Sequence, residues 1–201
     1  MRTMNERCVW VMAVAMLLLS AVLLPAPDAS ARESWAILNY EMSIPTGDTS
    51  DFVDQTSFRG IGFEGRWFQA HNTSIGYSLD WNVLHEKTSD AIVANNATVS
   101  GVQDRTINVF PMLVTGHYYF GPDHLFFAGL GAGLYFMEQR LDIGIFTLDN
   151  DTWHLGVAPE IGMAFDLTYD VKAILGLRYN YGFEASGTKI DYMTVKFGIG
   201  F

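Results

Sequence analysis

The chain ends in the stretch IDYMTVKFGIGF, Ile190–Phe201, and this stretch decides the fold. One set of alternate positions is apolar: Met193, Val195, Phe197, Ile199 and Phe201. The other set is polar or small: Tyr192, Thr194, Lys196, Gly198 and Gly200. A period of two over this length predicts a β-strand with one apolar face. Because a soluble sheet rarely leaves such a row of large apolar residues exposed, we interpret that face as meeting lipid.

Seven further segments show the same alternation: Trp35–Ile44, Phe58–Phe68, Ser74–Leu84, Thr106–Phe120, Leu125–Met137, Thr152–Asp166 and Val171–Phe183. The alternation is weakest around Pro111, where a missing backbone donor predicts a β-bulge. Together the segments predict an all-β protein, an eight-stranded antiparallel up-and-down transmembrane β-barrel.

The connections between the predicted strands alternate in character. Four are long or polar: Pro45–Ser57, His85–Arg105, Glu138–Asp151 and Glu184–Lys189. Three are tight turns: Gln69–Thr73, Gly121–His124 and Leu167–Asp170. Outer-membrane barrels have short periplasmic turns and longer extracellular loops, so both termini are predicted to be periplasmic. The run LDIGIF at 141–146 also alternates, and it could extend the strands beyond the membrane as an edge for a partner or an apolar rim for a solute.

Residues 1–31 are predicted to be a cleaved signal peptide, followed by one barrel domain at 32–201. Two arginines precede the apolar run Cys8–Leu24, and Ala29–Ala31 fits the small-residue cleavage pattern. An uncleaved anchor is the alternative, since the run exceeds the usual length of about 7–15 residues. Cys8 is the only cysteine, so the predicted mature domain cannot be a disulfide scaffold or a cysteine-ligated metal protein. No cofactor or metal site is predicted.

The chain is acidic, with 12 Lys and Arg against 22 Asp and Glu and a formal net charge of −10. This balance argues against nucleic acid as a partner. Several acids fall in the predicted loops: Asp48, Asp51, Asp54, Asp142, Asp149 and Asp151. They could form a divalent-cation site against anionic lipopolysaccharide. Solvated polar loops are the simpler interpretation.

Charged residues share the polar faces of the predicted strands. A soluble barrel, such as a lipocalin-like binder, would also alternate, but its large apolar residues would point inward. Here the polar faces carry matched acids and bases and many glycines, which suits a narrow dry lumen where an unpaired charge costs several kcal/mol. The predicted lumen salt-bridge network comprises Glu41, Glu64, Arg66, Asp80, His154, Glu160, Lys172, Arg178 and Lys196.

Aromatic residues on the apolar faces are predicted to form two interfacial girdles. The periplasmic girdle contains Trp67, Phe126, Phe165 and Phe201. The outer girdle contains Trp81, Phe136, Trp153, Tyr181 and Phe183. Scattered core aromatics, the alternative, would not cluster by depth.

The runs GLGAGLYF at Gly129–Phe136 and LGLRYNY at Leu175–Tyr181, with the terminal Phe201, give the chain a family resemblance. It resembles the small eight-stranded outer-membrane barrels, the OmpA/OmpX-like and OmpW-like porin-family proteins. The resemblance implies a location in outer-membrane lipid beside lipopolysaccharide. It also implies that Phe201 is the assembly signal read by the barrel-assembly machinery.

The resemblance is weak for function, because the family ranges from membrane tethers to adhesins and small-solute channels. An eight-stranded barrel is only wide enough for its own side chains, which favours a closed lumen and a structural or interaction role through the loops. A narrow channel for small or apolar solutes is the alternative. Some related barrels deacylate lipid A with a His and a Ser two residues apart, but none of the five histidines has a serine at that spacing. The chain is therefore predicted to be non-enzymatic.

Overall fold

The computed structural model describes residues 33–88, 92–94, 97–99, 103–143 and 146–201, so the predicted signal peptide lies outside the described residues. The strands are β1 Ser34–Pro45, β2 Ser57–Ala70, β3 Thr73–Thr88, β4 Ile92–Ala94, β5 Ala97–Val99, β6 Gln103–Phe120, β7 Phe126–Ile143, β8 Phe146–Thr168, β9 Val171–Ala185 and β10 Thr188–Gly200. One α-helix, α1, spans Gly47–Phe52, and a 3₁₀ turn spans Pro122–His124. Within these ranges no helix is long and apolar enough to cross a membrane.

Eight of the strands form a closed barrel in the order β1-β2-β3-β6-β7-β8-β9-β10. All neighbours are antiparallel, and β1 pairs with β10 to close the ring, with Glu41 opposite Lys196. Strands β4 and β5 form a separate two-stranded sheet. The eight predicted strands and their up-and-down order are confirmed.

Several details differ from the sequence-based expectation, among them the third loop and Pro111. The predicted third loop is mostly strand, because β7 and β8 pair as far as Ile143 and Phe146, which realises the strand extension suggested by its alternation. The bulge predicted at Pro111 is wrong. The register between β3 and β6 is the same on both sides of Pro111, and the pairing of β6 with β7 is continuous through it. The missing N–H interrupts the ladder toward β3 without inserting a residue.

The outer wall of the barrel is apolar, and the polar faces turn inward. Side chains such as Leu130, Leu155 and Ile161 are 56, 65 and 60% exposed. In β10 the inward positions Thr194 and Lys196 are buried, while Phe197 between Lys196 and Gly198 is exposed. This arrangement is the reverse of a soluble ligand-binding barrel.

Aromatic rings form a row across four neighbouring strands, β3, β6, β7 and β8, at the end of the barrel where α1 lies. Ring centroids are 5.7 Å apart for Trp81 and Phe110, 6.1 Å for Phe110 and Phe136, and 5.0 Å for Phe136 and Trp153. At the other end Phe120 stacks on Phe126 at 5.9 Å. Phe136 is ten positions beyond Phe126 on β7. At ~3.3 Å per residue and a strand tilt of ~40°, the two rows are about 25 Å apart along the barrel axis. This distance is the height of the apolar band of a membrane barrel.

The segment between β1 and β2 folds over one end of the lumen. Its residue Val53 is fully buried among apolar side chains of the barrel. The segment is fastened at Asp191, whose backbone N–H donates to the Thr49 hydroxyl at 2.8 Å and whose carbonyl accepts the Thr46 N–H at 3.0 Å. The helix α1 is thereby held against β10.

Candidate functional site in the barrel lumen

The lumen is filled in three layers along the strands. The layer near the chain termini is apolar: Trp35, Ile37, Phe68, Tyr119, Phe127, Ala164 and Ile174. The layer beneath α1 is also largely apolar: Val53, Leu84, Ile107, Val109, Leu113, Tyr135, Met137, Ala158, Ile190 and Tyr192. The residues between them on the same strands are charged, and they are the candidate site.

Arg178 is the most connected residue of the charged layer. Its Nε donates to Glu160 Oε2 at 2.6 Å, and its Nη1 donates to Asp80 Oδ2 at 2.8 Å. Its Nη2 lies 3.8 Å from Glu64 Oε2. Glu160, Asp80 and Glu64 belong to β8, β3 and β2, so a single guanidinium on β9 bridges three other strands.

Arg66 and Lys196 complete the charged layer. Arg66 Nε donates to Glu64 Oε1 at 2.8 Å, and its guanidinium lies 4.5 Å from the centre of the Phe127 ring. Lys196 Nζ donates to Glu64 Oε2 at 2.8 Å and lies 3.4 Å from Glu160 Oε2. All these charged side chains are at most 2% exposed. Three cations therefore face three carboxylates, and buried charges of this kind need such pairing.

Three predicted members of the network lie outside this cluster. Lys172 pairs with Asp166 at the end of the barrel near the termini, and its side chain is 25% exposed. His154 lies near the opposite end, where Nε2 is 2.8 Å from Thr152 Oγ1 and Nδ1 is 2.9 Å from the Phe183 carbonyl.

Glu41 is the third of these members, and it is buried without a cation. Its Oε2 accepts a hydrogen bond from Asn82 Nδ2 at 2.9 Å. Its Oε1 has no hydrogen-bond partner, and within the described part of the chain Glu41 forms no ion pair. The predicted network contains four acids and four Lys or Arg residues. In the structure three of each form the charged layer, because Lys172 lies at the barrel end and Glu41 lies beside the layer without a cation.

Sequence reasoning missed His117, whose Nε2 lies 3.5 Å from Glu64 Oε1. Ligand atoms of Glu64, His117 and Glu160 lie within 4.8 Å of one another, close enough to hold a metal ion. Both carboxylates, however, already accept hydrogen bonds from Arg66, Arg178 or Lys196. The protein's own cations therefore account for the cluster. The inward parity of His117 was the available signal, and the blurred alternation of its strand concealed it.

Sequence comparisons give no relative: no protein-family model matches the chain, and no curated protein matches it. Structural comparison finds barrels of the same kind. Ail, the attachment invasion locus protein of Yersinia pestis, superposes with a TM-score of 0.53 at 9% identity, over 84% of this chain and 97% of Ail. Ail in complex with the heparin analogue sucrose octasulfate gives 0.50 at 13% identity, over 85% and 99%. Neisserial surface protein A gives 0.48 at 16% identity, over 86% and 96%. The chain therefore has the fold of the small eight-stranded outer-membrane β-barrels.

Proposed function

We propose that the protein is a non-enzymatic β-barrel of the outer membrane, closed through its lumen and active through the segments beyond its outer rim. The observation that carries the proposal is the filling of the lumen. A neutral cluster of buried ion pairs lies between two apolar layers, and Val53 packs into one of these from above.

The closed lumen is supported by the way the cluster spans the barrel. Arg178 and Lys196 bind carboxylates on strands across the lumen, so side chains occupy the axis itself. Eight strands enclose little more space than their own side chains need. Opening an aqueous path would separate buried charge pairs and require the apolar layers to move apart.

The proposed setting follows from the outer wall. The apolar band between the aromatic rows is lipid-facing, and residues 1–31 direct export across the inner membrane. Both ends of the barrel domain lie at the periplasmic side, where the Phe201 N–H donates to the Ala36 carbonyl at 2.9 Å. The Phe201 side chain stays exposed, available to the barrel-assembly machinery. The opposite rim, with α1 and the extended β7 and β8, faces lipopolysaccharide and the exterior.

The absence of catalysis is proposed because the buried charged groups neutralise one another rather than converge on an open cleft. His154, which is buried in the lumen, is engaged at both ring nitrogens by Thr152 and the Phe183 carbonyl. Ail, which has the same fold, is named for attachment and invasion, so an interaction role is compatible with the fold.

Planar-bilayer recording tests the closed lumen. The refolded protein lacking residues 1–31 is expected to give no steady single-channel current, because the charged layer and the two apolar layers of described residues fill the lumen. Arg178→Ala removes a central side chain of the charged layer, and Lys172→Ala, at the barrel end, is the matched control. A steady unitary current in the unaltered protein that changes with Arg178→Ala but not with Lys172→Ala would contradict the proposal and favour the narrow channel.

A further inference from the structure

Strand β8 rises beyond its neighbour β9. Its pairing with β7 runs as far as Ile143 and Phe146, whereas its pairing with β9 begins only at Gly156 and Gly182. Since β9 ends at Ala185, opposite Trp153 in this register, the segment Phe146–Thr152 lies beyond β9 and has β7 on one side. On its other side none of the described strands pairs with it, so we call this side the open edge.

The backbone groups that face the open edge can be identified from the register. The Ala164 N–H donates to the Leu125 carbonyl at 2.8 Å, and the register of β7 with β8 is unbroken from there to Phe146. Since hydrogen-bonded pairs alternate along an antiparallel ladder, the even-numbered residues of β8 bond to β7. The residues whose N–H and C=O groups point to the open edge are therefore Thr147, Asp149 and Asp151.

Strands β3, β6, β7 and β8 extend together beyond the other strands of the barrel. The edge of this extension that belongs to β3 is contacted by the segment between β1 and β2. Strand β3 pairs with β2 only as far as Asn82, but the Val83 carbonyl beyond it accepts a hydrogen bond from Ser57 Oγ. Further along, Glu86 Oε2 accepts the Asp54 N–H at 2.8 Å. Edge strands are commonly protected by charged residues, above all lysine, by proline or by a bulge. Phe146–Thr152 contains no lysine or proline and keeps one register with β7, and its charged residues, Asp149 and Asp151, are both acidic.

The open edge carries unbalanced negative charge. Asp151 stands directly opposite Glu138 on β7, and like charges in this position destabilise a sheet. The nearby Arg140 is engaged, since its Nε donates to Asp149 at 2.8 Å. Glu138 accepts a hydrogen bond from Asn108 Nδ2 at 3.2 Å, but Asp151 forms no ion pair within the described residues. A cation beside Asp151 would relieve this pair.

We propose that the open edge of β8 binds an extended, cationic segment of a partner polypeptide as an added β-strand. Main-chain hydrogen bonds to residues such as Thr147 and Asp149 supply the attachment, and Lys or Arg side chains beside Asp151 supply selectivity. A second copy of this chain would set Asp151 and Asp149 against the same acids, which disfavours pairing of identical edges. The inference rests on the proposed interaction role and names the class of partner.

The test uses the full mature chain refolded into vesicles of zwitterionic lipid, which do not attract cationic peptides. The probe is a ten-residue peptide alternating lysine with threonine or valine, beside a glutamate version and a version N-methylated on alternate residues. We expect the lysine peptide to bind. The N-methylated version should bind about tenfold or more weakly, the equivalent of one or two backbone hydrogen bonds. The glutamate version should also bind about tenfold or more weakly, because its charges repel Asp149 and Asp151.

Variants at one position separate backbone from charge. Asp151→Asn removes the charge and keeps the N–H, so binding of the lysine peptide should weaken. Asp151→Pro also removes the N–H that faces the open edge while sparing the bonds to β7, so binding should be lost. Asp104→Asn lies on β6, the strand that pairs with β7 on the side away from β8, and should leave binding unchanged. Circular dichroism and heat-modifiable electrophoretic mobility verify that each variant is folded.

Three results would overturn the proposal. Equal binding of the N-methylated peptide would reduce the effect to charge attraction. Self-association of the chain that Asp151→Pro abolishes would assign the edge to a second copy. Absence of binding by every peptide would remove the partner class, yet the bilayer recordings would still decide the closed lumen independently.

Discussion

Replacing Arg178 with methionine is expected to lower the free energy of unfolding of the barrel by about 3–5 kcal/mol, the usual cost of removing one partner from a buried ion pair. Methionine fills similar space but leaves Glu160 and Asp80 without their closest cation. The measurement is urea unfolding in lipid vesicles followed by tryptophan fluorescence, with the slope of the transition compared between proteins.

Two companion variants make this prediction specific. Glu41→Gln should leave stability unchanged or raise it, because Gln can still accept the Asn82 hydrogen bond and no ion pair is lost with the carboxyl group. The double variant Arg178→Met, Glu160→Gln should recover part of the loss, since the two sites are coupled. If Arg178→Met and Glu41→Gln behaved alike, the charged layer would not be an ion-pair network that stabilises the barrel.

Replacing Ile161 with arginine is expected to lower the free energy of unfolding in a bilayer by about 2 kcal/mol, because a cation on the lipid face costs about 2–4 kcal/mol at the membrane midplane and less toward the interface. Ile161 lies on the outer wall opposite Leu177, between the aromatic rows, and is 60% exposed on the isolated barrel. A barrel with water outside would tolerate arginine at such an exposed site.

Leu148→Arg is the matched control for this prediction. Leu148 is 64% exposed, a fraction similar to the 60% of Ile161, but it lies on the part of β8 that rises beyond β9. We expect less than about 1 kcal/mol of change there, since the site is in water. Equal losses at Ile161 and Leu148, measured by the same urea unfolding, would show that depth in a membrane plays no part.

Much of the fold could be predicted from sequence because a period of two assigns each side chain to a face. In β10 this assignment put Lys196 inside and Phe197 outside, as the structure has them. Local backbone chemistry was less predictable. Pro111 lacks a donor toward one neighbour only, so its pairing with β7 holds the register and no bulge forms. The sequence does not reveal which neighbour a missing N–H faces.

The site was harder to predict than the fold. Alternation places a charged residue in the lumen, but its height along the strand decides which partners it meets. Lys172 has the inward parity of Arg178, yet it is the second residue of β9 and reaches Asp166 at the barrel end. Register between distant strands is needed to bring Arg178 to Asp80, and a single sequence does not supply it.

The outer wall of the barrel is expected to meet lipid, whereas the charged and apolar layers inside are not. Cross-relaxation between lipid acyl-chain protons and side-chain methyl groups, measured by NMR on the refolded protein in lipid nanodiscs, tests this expectation most directly. We predict that magnetisation is transferred from the acyl chains to the methyl groups of Ile161 and Leu177. We predict no such transfer to the methyl groups of Ile107 and Leu113, which are buried in the lumen. Transfer from water rather than lipid at Ile161 and Leu177 would contradict the account.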